Sequence, residues 1–326
     1  MAKPTIVKKL PELPVAFVER LGQILSPDAF AQAQAAFAQP RVCSFRVNTL
    51  LADPVAVRDE LAAAGLTLAP VGWMPVAFTV PADQRTALLA TPAFAEQRIY
   101  VQNLSSMVPP VVLAPQAGER ILDLTAAPGS KTLQVAAELA RQADPSVSTL
   151  AAVEFVQGRF FKLRANLKAQ GAAWVETYHT NGENVWRHRP SHFDRVLLDA
   201  PCSSEGRFHA SDPESWAYWS PRKVKEMARK QQRLLYSAVH ATKPGGSIVY
   251  STCSFAPEEN ERILAKALKT FGDALTLEPL GIELPSMIPP LTAWRGKAFP
   301  EAIQHARRIL PNDQYQGFFV ARLRKV

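Results

Sequence analysis

Ile121-Leu-Asp-Leu-Thr125-Ala-Ala-Pro-Gly129-Ser-Lys131-Thr132 is the stretch that decides the fold. Ile121, Leu122 and Leu124 have the composition of a strand buried on both faces, Pro128 and Gly129 interrupt it, and residues 133–141 resume with helix formers. The order is strand, tight turn, helix. Small residues at 126, 127, 129 and 130 let a ligand approach the backbone, and free N–H groups at the helix start face an incoming carboxylate or phosphate. Two nucleotide loops are excluded: there is no G-x-G-x-x-G, and Lys131 lacks the G-x-x-x-x-G-K-[ST] setting of a P-loop. At this point an ordinary strand-to-helix turn stands beside the ligand-site reading.

Downstream, strands are predicted over 149–153, 174–178, 193–198, 246–251 and 318–323, with helices over 156–170, 221–241 and 257–270. This alternation predicts an α/β fold with a doubly wound, mostly parallel sheet, in which ligands lie outside the carboxyl ends of the strands. Glu154 closes the second strand of the unit, where one carboxylate can accept both hydrogen bonds of a ribose diol. Upstream, residues 1–40 read as a lead-in and two helices, 14–25 and a second opened by Ser26-Pro27-Asp28. Residues 41–98 read as a small α+β subdomain: a strand over 43–50, a helix over 54–64, and a strand near 66–71. Residues 72–100 are poor in pattern, a connection into the main domain, 99–326. Arg46 and Asn48 alternate with Phe45 and Val47 and so share one sheet face, open either to RNA or to solvent.

The formal charge is +8 and the sequence pI about 9.5, a balance that favours an anionic partner, nucleic acid first. Ser220-Pro221 opens a helix on which Arg222, Lys225, Arg229 and Arg233 follow at spacings of 3, 4 and 4 and share one face. Cations in a first turn oppose the helix dipole, so the stripe reads as a phosphate contact or as a solvated face, with Arg222, Lys225 and Arg229 as RNA-binding candidates. With 47% hydrophobic and 20% charged residues the chain reads as a soluble globular protein. Residues 1–20 carry no run resembling a signal peptide and nowhere do 18 apolar residues follow one another, so a cytoplasmic protein without membrane attachment is expected. Three cysteines without a C-x-x-C pair, and no histidines spaced as ligands, argue against a metal.

Cys202 and Cys253 follow strand ends, in Leu197-Leu-Asp199-Ala-Pro201-Cys202-Ser-Ser-Glu205-Gly206 and Val249-Tyr-Ser-Thr-Cys253-Ser254, and so emerge on the edge that carries residues 125–131 and Glu154. A lone cysteine is usually a small buried hydrophobe, the reading given to Cys43; two thiols, an aspartate and a lysine converging on a ligand loop ask for another. Asp199-Ala-Pro-Cys202-Ser before Gly206, Ser251-Thr-Cys253-Ser before Pro257-Glu-Glu-Asn260-Glu, and Leu124-Thr-Ala-Ala-Pro-Gly-Ser-Lys131-Thr together resemble the RNA cytosine-5 methyltransferases of the Nol/Nop/Sun family. The likeness extends from Arg46-Val-Asn-Thr-Leu50 through Tyr100-Val-Gln to Gly317-Phe-Phe-Val-Ala-Arg-Leu-Arg-Lys325. Asp212-Pro-Glu-Ser-Trp216 and Trp219-Ser-Pro221 resemble most the bacterial ribosomal small-subunit branch, of the F type, whose C-terminal RNA-binding domains this chain is expected to lack.

The resemblance implies a Rossmann-like methyltransferase domain with a small RRM-like appendage, S-adenosyl-L-methionine as cofactor, and formation of 5-methylcytosine. Cys253 would add as thiolate to C6 of the base, making C5 nucleophilic, and Cys202 would assist the release that follows. Asp199 would bind the N3 and N4 edge, and Lys131 would orient the pyrimidine. The donor would lie on Thr125, Ala126, Ala127, Pro128, Gly129, Ser130 and Lys131, with Asp199 and Pro201 nearby, Glu154 on the ribose, Arg159 on the carboxylate and Asn181 on the adenine. Thr125, Glu154 and Asn181 stand where the family more usually has Cys, Asp and Asp, Ser204 where Gly is common, and Gln316 where Asp is frequent. Glu183-Asn-Val185 spells a DNA cytosine-methyltransferase signature but precedes Pro201-Cys202, the wrong order. Trp216, Tyr218 and Trp219 read either as base-stacking groups or as packing for the Cys202 loop. The expected substrate is 16S rRNA or the 30S particle, with tRNA second, and a monomer is expected. A non-catalytic ribosome-assembly factor is the alternative, against which the intact Cys253, Cys202, Asp199 and Lys131 argue. A nicotinamide oxidoreductase is disfavoured by the missing glycine fingerprint.

Overall fold

In the computed structural model, which describes residues 13–326, helices α1 (Val15–Ile24) and α2 (Pro27–Ala38) come first, the second capped by the Ser26 hydroxyl, which accepts the Ala29 N–H. The expected lead-in over 1–12 lies outside the described residues. Phe17 and Phe37 of these helices pack edge-on against Phe208 and Phe255, which lie just beyond the two cysteine loops, so the helices support that region from behind.

Strands β1 (Cys43–Val47), β2 (Ala69–Pro70), β3 (Ala77–Val80) and β4 (Ile99–Val101), with helix α3 (Pro54–Ala63), form an antiparallel sheet in the order β2-β3-β1-β4. Alternation along β1 sends Cys43, Phe45 and Val47 into a core with Val57, Leu61 and Leu88. The structure corrects the reading of 72–100 as a patternless connection. That stretch holds β3, two short helices (Arg85–Leu89 and Pro92–Ala95) and β4, and its prolines sit beside these elements rather than inside them, Pro92 opening its helix. Because Val101 pairs with Phe45, the small sheet also runs past the boundary expected at 98.

Arg46 and Asn48 require a second correction. Each is 1% exposed, because the face they share is covered by the main domain and not by solvent or RNA. Arg46 donates through Nε to Gln102 Oε1 at 3.1 Å and through Nη2 to Ser130 O at 3.2 Å; burial pulls its guanidinium down to about 10. Asn48 donates to Gln170 Oε1 at 2.9 Å, Gln170 O at 3.0 Å and Gln97 O at 3.1 Å. Strand alternation identifies a polar face without saying what covers it.

The main sheet follows helix α4 (Leu104–Leu113), capped by Asn103. Its parallel part is β5 (Arg120–Asp123), β6 (Thr149–Glu154), β7 (Glu176–His179), β8 (Phe193–Asp199) and β9 (Thr242–Thr252), in the spatial order β7-β6-β5-β8-β9. Helices α5 (Ser130–Gln142), α6 (Gln157–Ala169), α7 (Pro221–Ala241) and α8 (Glu261–Phe271) connect or follow these strands. Leu133, Leu139, Leu163 and Leu167 fill one face of the sheet, and Leu234, Leu235, Ala238 and Leu264 the other. Beyond β9 the sheet turns antiparallel. Strands β10 (Leu275–Glu278), β11 (Met287–Ile288) and β12 (Arg307–Ile309) precede β13 (Phe318–Lys325), which pairs with β9 on one side and with β10 and β12 on the other. The short strands β10, β11 and β12 were not expected from the sequence. Strand order reverses between β5 and β8, which makes the gap between their carboxyl ends the topological place for a ligand.

The antiparallel edge is fastened by ion pairs, one of them fully buried. Arg308 on β12 and Glu261 at the start of α8 are both buried, joined Nη2 to Oε2 at 2.6 Å and Nε to Oε1 at 2.7 Å. Arg308→Met leaves the Glu261 charge without its partner and is expected to cost about 3–5 kcal/mol in urea denaturation.

Candidate active site

The loop after β5 is built by short-range ties. The Thr132 hydroxyl, one turn into α5, donates to Asp123 Oδ2 at 2.6 Å, and burial raises that carboxyl to about 6. The Ala126 N–H donates to Val153 O at 2.8 Å, Arg159 Nη2 to Ala127 O at 2.7 Å and Asn166 Nδ2 to Pro128 O at 2.8 Å. Gly129 turns the chain with φ 108°, a conformation that favours glycine.

At the carboxyl edge of the sheet this loop borders a cavity of about 690 Å³. Of the residues expected at a ligand, Thr125, Ala126, Ala127, Pro128, Ser130, Lys131, Glu154, Arg159, Asn181, Asp199, Pro201, Cys202 and Cys253 line it. Gly129 does not. It shapes the turn from behind, where an added Cβ would meet Leu163 at 3.0 Å. Glu154 is buried, with Oε1 accepting the Val156 N–H at 2.7 Å and Oε2 lying 3.6 Å from Arg159 Nη1. Asn181 caps the turn Gly182–Asn184 by accepting the Glu183 N–H at 3.0 Å.

The two thiols meet at the cavity wall. Cys202 Sγ and Cys253 Sγ are 3.2 Å apart, both free and half-buried. The hydrogen bond from Cys202 holds the Cys253 thiol below its ordinary range, helped by the positive charge of Arg207. Cys202 is pushed up by the same bond and by burial. Opposite them, Lys131 Nζ lies 2.6 Å from Asp199 Oδ2 and donates to Ser106 Oγ at 2.7 Å, while Asp199 Oδ1 accepts from Ser251 Oγ at 2.8 Å. A thiol of lowered proton affinity, a second thiol of raised proton affinity, a carboxylate and an ammonium group thus face one space.

Backbone contacts set the thiol loops. Gly206 donates to Cys253 O at 2.8 Å, and Gly317, just before β13, donates to Gly206 O at 3.1 Å. A Cβ on Gly206 would collide with the backbone of Gly317, and one on Gly317 with the ring of Phe255. Ser204 adopts φ 61°, a left-handed position that suits the glycine common there in the resembled family.

Several cavity residues carried no assignment from the sequence. Phe155 and Val156 stand 58% and 48% exposed at the rim beside Glu154; two apolar residues in a loop after an acidic strand end were the available signal. Arg207 and Lys230 also reach the cavity. Arg222, Lys225 and Arg229 are exposed on α7 outside it, and Arg233 is engaged by Glu183 at 2.6 Å, which accounts for the first residue of the Glu183-Asn-Val185 triplet. Trp219 donates to Glu205 Oε1 at 2.9 Å and Trp216 packs behind the loop, whereas Tyr218 is 90% exposed. Among the described residues no group of three or more His, Cys, Asp or Glu is placed to hold a metal ion, and no helix is long and apolar enough to cross a membrane.

A family model for 16S rRNA methyltransferase RsmB/F matches residues 110–324. The chain belongs to that family. Ribosomal RNA small subunit methyltransferase F of Serratia proteamaculans is 37% identical over 100% of this chain and 65% of its own length. The protein of the same name from Escherichia coli is 36% identical over 96% of this chain and 63% of its own length. This RsmB/F chain therefore spans somewhat under two thirds of these relatives. A methyltransferase homolog protein from Pyrococcus horikoshii superposes with a TM-score of 0.79 at 30% identity, covering 96% of this chain and 100% of that one. NSun6 from the same organism, at 21% identity and a TM-score of 0.79, shares the fold. The fold is thus the Rossmann-like fold of S-adenosylmethionine-dependent methyltransferases.

The residues present fit that cofactor: a buried carboxylate for a diol, apolar side chains at the rim for a base, and Arg159 for a carboxylate, in a cavity within the size range of small-molecule sites. The close fit behind the thiols is open to test. Gly206→Ala is expected to lose about 1–3 kcal/mol in thermal unfolding by forcing Gly317 away. Mass-spectrometric alkylation mapping should then show Cys202 and Cys253 reacting independently of each other.

Proposed function

We propose that this chain methylates C5 of cytosine in RNA, with 16S rRNA as substrate, through a covalent adduct to Cys253. The observation that carries the reading is the pair of thiols at 3.2 Å on the wall of the cavity that also holds Lys131 and Asp199. S-adenosylmethionine, when bound against residues 125–131, supplies the methyl group.

Cys253, its proton affinity lowered by the hydrogen bond with Cys202, adds as thiolate to C6 of an unpaired or flipped cytosine. Electron density moves through C5 toward N3, where the positive charge of Lys131 stabilises the added state while the Asp199 carboxylate holds the ring by accepting from its N4 amino group. C5 takes the methyl group and then gives up its hydrogen as a proton to solvent water at the cavity mouth. The bond from Cys253 to C6 breaks as that electron pair re-forms the ring double bond. Cys202 serves this last phase by keeping its own proton and donating a hydrogen bond to the departing sulfur, which leaves as thiolate. The names of the bacterial relatives support the ribosomal substrate. The basic stripe Arg222, Lys225 and Arg229 supports a role in holding the RNA backbone.

Transfer of labelled methyl groups to 16S RNA, 30S particles and bulk tRNA tests the assignment. Cys253→Ala is expected to abolish transfer, and Cys202→Ala to accumulate a denaturation-resistant protein–RNA adduct; the reverse pattern reassigns the thiols, and no transfer by the wild type removes the reading. Changing Arg222, Lys225 and Arg229 together to Ala is expected to lower the salt dependence of RNA binding by about 2–3 units of slope, whereas Arg46→Met lowers stability and leaves the slope unchanged.

A further inference from the structure

Behind the thiols lie two buried carboxylates that the methyl-transfer scheme does not use, Glu205 from the Cys202 segment and Glu259 from the Cys253 segment. The serine that follows each cysteine joins them. Ser203 donates its N–H to Glu259 Oε2 at 3.0 Å, and its hydroxyl meets Glu259 Oε1. Ser254 Oγ lies 2.9 Å from Glu259 Oε1, 3.0 Å from Ser203 Oγ and 3.1 Å from Glu205 Oε2. Gln231 of α7 donates to Glu259 Oε2 at 2.8 Å, and the Phe255 N–H and Trp219 Nε1 donate to Glu205 at 2.9 Å.

One proton satisfies this whole network. Oε2 of Glu259 already has two N–H donors, whereas Oε1 faces hydroxyl groups. With a proton on Oε1, Glu259 donates to Ser203 Oγ, Ser203 to Ser254 Oγ, and Ser254 to Glu205, which stays ionised and keeps its N–H donors. We propose that Glu259 is a positioning residue: carrying this proton, it staples Ser203 to Ser254 and so keeps Cys202 against Cys253. The inference rests on the reading that these two thiols act on one cytosine.

Two adjoining buried carboxylates resist ionising together, and burial next to Glu205 pushes Glu259 up to about 8. The other titratable groups facing it are Cys202 and Tyr250, whose hydroxyl donates to the Glu259 carbonyl at 2.5 Å; Glu258 with Arg20 and Glu261 with Arg308 flank it as closed ion pairs. Ionisation removes the donor at Oε1 and brings a second negative charge beside Glu205 and Cys202, so the staple loosens as pH rises through about 8.

Diamide oxidises two thiols to a disulfide, taking up their two electrons and two protons, and the rate at which Cys202 and Cys253 cross-link reads their mutual placement without RNA. In the full chain, Glu259→Gln offers an amide donor in place of the acid and is expected to cross-link and to methylate RNA as the wild type does at neutral pH. Glu259→Ala is expected to do both at least about tenfold more slowly. Wild-type transfer should fall as pH rises through about 8, and Glu259→Gln should lack that fall. Ser203→Ala, which keeps the backbone donor and loses one hydroxyl, is expected to lie between and decides the matter if Glu259→Ala does not fold. Wild-type cross-linking in the Ala variants, or an alkaline fall that persists in Glu259→Gln, overturns the proposal. A wild-type chain that cross-links rapidly yet transfers no methyl group overturns the enzymatic reading and leaves the staple standing.

Discussion

The proposed active-site edge depends on one contact, that between two sulfur atoms 3.2 Å apart on loops from neighbouring strands. β8 and β9 are parallel and in register, Asp199 opposite Ser251, so chain leaving their carboxyl ends starts about 4.8 Å apart. Keeping the side chains in contact calls for the loops to be held together from behind. Gly206 and Gly317 do this by backbone contact in a place where no Cβ fits, and Phe17, Phe37, Phe208 and Phe255 pack the space beyond. The sequence features that look least chemical, two glycines and four phenylalanines, therefore support the distance on which the proposed chemistry rests.

Charge is arranged in the same spirit of mutual constraint. Lys131 is held by Asp199 and Ser106 on one wall, and on the other a hydrogen bond between thiols separates their proton affinities. Neither arrangement would survive in open water, where each group would be solvated independently. The small antiparallel sheet contributes to the enclosure through Arg46, whose guanidinium reaches the carbonyl of Ser130 in the ligand loop. This sheet is thus packed into the main domain through the polar face that first suggested RNA contact.

The parallel half of the fold is legible in the sequence because its signals are local: apolar strands ending in Asp123, Glu154 and Asp199, and helices opened by Ser26 and Ser220. The cavity wall is legible for a related reason, since residues at the ends of parallel strands share an edge whatever the details of packing. What escapes is set by partners remote in the chain. β10, β11 and β12 are too short to show a period and exist because β13 offers them an edge. Arg46 and Asn48 alternate as an exposed pair would, and their burial follows from Gln102, Ser130 and Gln170, far along the sequence. Gly129 looks like a ligand contact on composition and proves to be the hinge that presents its neighbours.

The placement of Gly317 and β13 has a consequence for biosynthesis. A ribosome delivers β5 to β9 first, and those strands can pair as they emerge, but the groove beside β9 stays open until residues 317–325 have left the exit tunnel. Before then nothing presses on Gly206, and the sulfur atoms have no reason to stay in register. A nascent chain of this kind therefore passes through a stage with its cavity largely outlined and its two thiols still slack.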